Sequence, residues 1–306
     1  MTLLEPTQQF NQRSPLQNAL RRLSRHRSAR VGFVILGFLI LVAIFAPILA
    51  PYDPIKVLTN VKTRTPPCIH IFGCPADQPQ HFFGIDGNRR DEFSRIIYGS
   101  RLSLEIGVST VSFAIITGII LGALAGYLGG WVDNVIMRLM DVLLAFPSLM
   151  LAIAIVAVLG PGLVNALIAI SFVSIPVYAR ILRASILQVK EQDFVTASVA
   201  LGSSRFGILL GHVLPNALTP IIVQATLGIA SAILDAAALS FLGLGAPPPT
   251  PEWGLMLGEE RSSIFNAPHL VIIPGIAIML TVLSFNLIGD ALRDALDPRL
   301  SSVKVG

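Results

Sequence analysis

Apolar and polar positions alternate along this chain in long blocks. Six apolar runs lie at about 31–50, 105–126, 137–159, 163–182, 218–243 and 268–290, separated by polar or glycine- and proline-bearing stretches. At about 1.5 Å per residue, a run of about 20 residues crosses the roughly 30 Å hydrocarbon core of a bilayer. The pattern predicts an all-α, polytopic membrane protein with six transmembrane helices. Pro147, Pro176 and Pro274 fall inside these runs, where neighbouring helices can satisfy the freed carbonyls. Gly118, Gly122 and Gly126 stand four apart on one face, which favours close helix approach.

Composition agrees. The 306 residues are 53% hydrophobic and 13% charged, with mean hydropathy +0.73, against about 25% charged in average soluble domains. Six arginines and one acid, Glu5, precede the first run. That run is too long for a signal peptide, and Pro51 follows its one small-residue cleavage point, so it reads as an uncleaved span. The arginines favour a cytoplasmic N-terminus, and six crossings return the C-terminus to the same side. The layout is then a basic segment 1–30, a first helix 31–50, an extracytoplasmic loop 51–104, a five-helix core 105–290 and a cytoplasmic tail 291–306. Cys68 and Cys74 fall in the outer loop, either as a local disulfide or as two free thiols; their spacing fits no zinc pattern.

The inward loop 183–216 carries the functional signal. Asp193 is expected to cap a short helix, on which Phe194, Ala197, Ser198 and Leu201 share a face. Gly202 permits a left-handed turn. Ser203 or Ser204 then caps a second helix, through Arg205 and His212, that Leu214-Pro215-Asn216 should stop. A helix pair lying on lipid headgroups would need a strongly basic face. Only Arg205 and Lys190 are available, so docking into a protein groove fits better.

The segment Thr196-Ala197-Ser198, three residues, Gly202, then His212-Val-Leu-Pro-Asn216 resembles the EAA loop of ABC-transporter permeases. Thr196 stands where that family has glutamate, a residue that could close a capping box three positions after Asp193. Further stretches resemble the dipeptide, oligopeptide and nickel import branch, and its second, C-type membrane subunit. These are Phe83-Gly84-Ile-Asp86; Arg90-Asp91-Glu-Phe-Ser94-Arg95-Ile-Ile-Tyr98-Gly99-Ser-Arg101; Gly126-Tyr-Leu-Gly-Gly-Trp-Val-Asp133; Ala238-Leu-Ser-Phe-Leu-Gly-Leu-Gly245; Pro251-Glu-Trp-Gly254; and Asn286-Leu-Ile-Gly-Asp290. The family usually has glycine where Arg89 sits. The resemblance implies a type I ABC importer fold in the inner membrane. It also implies a paired permease subunit as heterodimer, two ATP-binding subunits, and an extracytoplasmic substrate-binding protein. ATP and magnesium would then be bound by partner subunits, with no cofactor in this chain.

Two carboxylates lie within the spans. Asp141 follows Arg138 by three positions and is expected to pair with it. Asp235 has no local partner, which makes it the better candidate to face the translocation path. The chain has no Gly-x-x-x-x-Gly-Lys-[Ser/Thr] phosphate loop, no His-Glu-x-x-His and no Gly-x-Ser-x-Gly, so nothing points to catalysis. Its basic N-terminus beside a span reads as membrane orientation rather than nucleic-acid binding. The competing class is an ion-coupled carrier or channel that uses Asp141 and Asp235 without an ATPase.

Overall fold

The structure, a computed structural model, describes residue 23 and residues 26–75 and 77–296. Most of the basic segment (1–22, 24 and 25), residue 76 and residues 297–306 lie outside the described residues. Among those described, all regular structure is helical apart from two isolated bridges, Cys68 with His81 and Ile85 with Asp91. The helices are α1 Arg27–Ile44, α2 Ala46–Leu49, α3 Glu92–Leu128, α4 Gly130–Leu144, α5 Ser148–Leu159, α6 Leu163–Val189, α7 Asp193–Ala200, α8 Arg205–Ile208, α9 Leu214–Ala217, α10 Thr219–Phe241, α11 Trp253–Glu260 and α12 His269–Leu296.

Five helices are long and apolar enough to cross a membrane: α1, α3, α6, α10 and α12. The expected third span, 137–159, is not one helix. It divides into α4 and α5, bent by 91°. Pro147 sits at the break with ψ 129°, because its ring and missing N–H cannot continue a helix and the residue before it is driven out of the helical region. The second span also differs. The helix starts at Glu92, capped by the Asp91 carboxylate accepting from the Ser94 amide, so Glu105 lies inside it rather than opening it.

Hydrogen bonds between the ends of helices fix the topology. Tyr127, at the end of α3, donates to the Arg205 carbonyl at 2.6 Å, so α3 finishes beside α8. The Gly162 amide, between α5 and α6, donates to the Leu244 carbonyl just past α10. The α4–α5 pair therefore travels from the α8 end to the far end, and it counts as one broken crossing. With it the described residues hold six candidate crossings. His26 approaches Asp294 at 3.5 Å, which places the start of α1 and the end of α12 together.

The core centres on α3 against α6. A Cβ added at Gly118 would meet the Tyr178 Cβ at 2.5 Å, one at Gly122 the Ala179 carbonyl at 2.5 Å, and one at Gly126 the Arg183 carbonyl at 3.0 Å. The glycine row lets two backbones touch, and dispersion between them replaces the solvent-driven burial that lipid cannot supply. Around this seam, Tyr178, Ala179, Leu182 and Ile186 are fully or almost fully buried. Helix α1 packs on α12, where Gly32 lies against Ile288 and Ser284, and leaves Val34, Phe38 and Ile44 exposed, an apolar face suited to lipid.

Candidate functional site

At the α8 end, residues 193–217 form a compact elbow. Val195, Ile208, Val213 and Ala217 are buried in the main core. Phe194, Val199, Leu201, Phe206 and Leu210 are exposed, Leu201 by 86% and Phe206 by 68%. The loop is thus rooted by one set of apolar side chains and presents another. Burying an exposed side chain of that size in a partner stabilises by about 1.5–3 kcal/mol. Water is a poor final environment for this row.

Local chemistry explains the shape and corrects three expectations. The N-cap of α7 is Gln192, without a side-chain bond, and Asp193 is the first helical residue. Its carboxylate therefore acts on the positive helix end rather than as the cap. Thr196 is then one position too late for a capping box. Ser198 bonds back to the Phe194 carbonyl at 2.8 Å. Gly202 turns the chain at φ 79° with open space around it, and Ser204 caps α8 by accepting from the Gly207 amide. Leu214-Pro215-Asn216 does not stop the second helix. A π turn, Leu209–Val213, takes up the register that Pro215 would break, and α9 continues into α10. Such wide turns absorb one extra residue within a helix. Arg205, His212, Pro215 and Asn216 all remain at the surface, with the Asn216 amide donating to the His212 carbonyl.

The intramembrane charges are arranged differently from expectation. Asp141 pairs with Arg180 of α6 at 2.6 Å, not with Arg138. A partner on the neighbouring helix ties α4 to α6, and Arg183 does the same with Asp133. Asp235 is half-buried on α10, with no hydrogen-bonding or ionic partner among the described residues.

The opposite end is a cap. The loop 51–91 folds over the start of α3 and against α11. Cys68 and Cys74 are joined in a disulfide. Arg90 reaches Asp86 at 2.6 Å and Glu259 at 2.7 Å. Arg95, fully buried, approaches both of these acids and donates to the carbonyls of Pro54 and Pro249. Arg64 pairs with Glu260, which also accepts from the Gly87 amide. His81 bonds Asp91 at 2.8 Å. Trp253 is buried against Gly99 and donates its indole N–H to the Ile96 carbonyl. Glu252 caps α11 through the amides of Gly254 and Leu255. Burial pushes its carboxyl up, and those two N–H bonds and the Ser240 hydroxyl oppose the shift. The sequence showed these motifs one by one, but not that they interlock; the helix α11 within the 244–267 loop was also missed.

Comparison with known proteins now bears on the site. Residues 118–302 match the family described as binding-protein-dependent transport system inner membrane component, and residues 14–67 match the N-terminal transmembrane domain of oligopeptide transport permease C. The chain belongs to this permease family. A dipeptide transport system permease protein of Alkalihalophilus pseudofirmus is 48% identical over 97% of this chain and 94% of its own length. A di/tripeptide transport system permease protein of Pseudomonas aeruginosa is 47% identical over 94% of both. A glutathione transport system permease protein of Escherichia coli is 45% identical over 98% of this chain and 95% of its own. Among solved structures, an inward-facing methionine ABC transporter superposes with TM-score 0.56 at 18% identity, covering 66% of this chain and 96% of its own. The fold is that of a type I ABC importer permease. As a member of the family, the chain is a non-catalytic, integral inner-membrane component of a transporter.

Proposed function

We propose that this chain is the C-type membrane subunit of an ATP-driven importer of dipeptides and other short peptides. It forms half of the translocation path, with a second permease subunit supplying the other half. Two ATPase subunits bind ATP and magnesium on the cytoplasmic side, and an external binding protein delivers the peptide. The elbow 193–216 sits in the cytoplasm with both chain termini, and the cap faces outward. The arginine-rich N-terminal segment supports this orientation.

The observation that carries the reading is the elbow itself, a buried root below an exposed apolar row. That row fits a groove on an ATPase. When the ATPase pair closes, the elbow moves as a lever. The Tyr127 bond to the Arg205 carbonyl joins it to α3, and the Asp133–Arg183 pair joins α4 to α6. Asp235 faces the path, because an unpaired carboxylate would be costly against lipid. The names of the relatives support a short peptide as cargo.

The test is purification of the assembled transporter carrying Gly202→Asp, with Leu201→Asp as a second variant. Gly202 turns at positive φ without contacts, so aspartate there strains one residue by about 1 kcal/mol and leaves the fold intact. Both variants should keep the permease pair and lose the ATPase. ATPase retained at wild-type level in both would overturn the docking role.

A further inference from the structure

The cap carries an open notch of about 970 Å³ beside its ion-paired cluster. Its lining includes the apolar Ile55, Val57, Pro248 and Pro249 and the cations Lys62 and Arg89, both exposed at its edge. Ile55 and Val57 are each 50% exposed. The charges around the notch are unevenly used. Arg64, Arg90 and Arg95 are matched by Asp86, Glu259 and Glu260 in close pairs. Asp53 turns its carboxylate back onto the Ile55 amide. Lys62 and Arg89 are exposed and have no carboxylate partner among the described residues. The amide bond leaves the Asp53 charge in place, so with the cluster paired internally the two cations Lys62 and Arg89 stand against one nearby carboxylate, and the rim carries a net positive count.

Arg89 is also held in an unfavourable backbone. Its φ is 61°, a left-handed conformation that a glycine adopts freely and an L-residue resists. The Leu58 amide bonds the Arg89 carbonyl at 2.7 Å, and the Arg89 amide bonds the Asp86 carbonyl. The turn is therefore fixed by its neighbours on both sides, and it aims a long cation outward from a rigid base. Non-glycine residues held in this region concentrate at functional sites.

We infer that this notch is a docking socket for an acidic loop of the external binding protein, with Lys62 and Arg89 pairing its carboxylates while Ile55 and Val57 cover its apolar flank. The inference rests on the proposed orientation of the cap and deepens that reading by naming the contact chemistry. Charge at the rim of such an interface acts mainly on the association rate and its salt dependence, because screening shortens its reach to about 10 Å at 0.1 M salt. Rigid presentation lowers the ordering cost of the contact.

The experiment uses the complete transporter in nanodiscs and its purified, dipeptide-loaded binding protein. Arg89→Gly is the informative variant, because it suits the backbone and removes only the cation; it is combined with Lys62→Ala. Association should slow about tenfold at low salt, with a flatter salt dependence, and the unfolding temperature should not fall. Restoring Arg89 alone should recover part of the rate. Unchanged association and salt dependence in the double variant would overturn the socket. So would a loss of co-purifying anionic lipid without any change in binding-protein association, which would make the notch a headgroup site. Absence of binding-protein capture by the wild-type transporter would instead break the functional reading itself.

Discussion

The two ends of the bundle solve opposite problems. The cap buries ionisable groups: Asp86, Arg90, Asp91, Glu92 and Arg95 are each at most 3% exposed, and three of its acids are shared among three arginines. The elbow exposes grease, with Phe194, Leu201 and Phe206 at the surface above a small buried root. A cap whose acids and arginines are mostly paired internally, with His81 Nε2, Glu92 Oε1 and Arg95 Nε left without a hydrogen-bond partner among the described residues, holds its shape through contacts within this subunit. An elbow with uncovered apolar side chains is, on the proposed reading, half of an interface. The difference teaches where this subunit is rigid by itself and where it depends on an assembly.

The largest effect should come from breaking the cap. Arg95→Ala leaves Asp86 and Glu259 short of a cation inside a dry cluster, and removing one member of a buried ion pair costs about 3–5 kcal/mol. The variant should unfold well below wild type in detergent, with poor yield. Replacing the whole cluster with apolar residues could be neutral, so the loss would report the orphaned charges, not the worth of the pairs. If Arg95→Ala melts with wild type, the cap is wet and the contrast between the ends collapses.

A smaller, pH-dependent effect should come from Glu252. Burial raises its carboxyl pKa in the folded protein. The folded state then holds the proton more tightly than the unfolded chain does. This contribution favours folding most on the acid side and declines as pH rises from the ordinary glutamate range through the folded value. Glu252→Gln should flatten that slope while keeping one of the two amide bonds. Unfolding temperatures between pH 4 and pH 8 (about the span in which such a group titrates) check the sign; a wild-type slope that rises where the variant's is flat would contradict the burial argument.

How much of this was legible in the chain follows from what is local. The glycine row and the apolar face of the elbow are periodic and lie where the periodicity implies, whereas the second and third spans differ from their apolar runs in start and continuity. Asp86 and Arg90 are four residues apart, but Glu259 lies 169 residues from Arg90, a distance that no pattern in one sequence bridges. Pro147 was visible as an irregularity, yet only packing decides between a kink and a 91° break. Pro215 looked like a stop because a proline usually ends a helix; the π turn before it changed the outcome. The unusual Arg89 became intelligible only with its positive φ.

The smallest effect should come from Asp141→Asn. The Asp141–Arg180 pair is short, at 2.6 Å, but both side chains are more than half exposed in the isolated subunit. An ionisable pair in a span must face water or protein. If it faces a water-filled vestibule, the pair is screened and worth at most about 1 kcal/mol, even though it lies in the membrane region. Asparagine should therefore leave the unfolding temperature of the assembled transporter nearly unchanged, and any loss should be in transport rate, through a looser α4–α6 contact. A loss approaching that of Arg95→Ala would mean that Arg180 is left unpaired in a dry surrounding when the subunits join. Both ends of the bundle, and not the cap alone, would then contain buried charge.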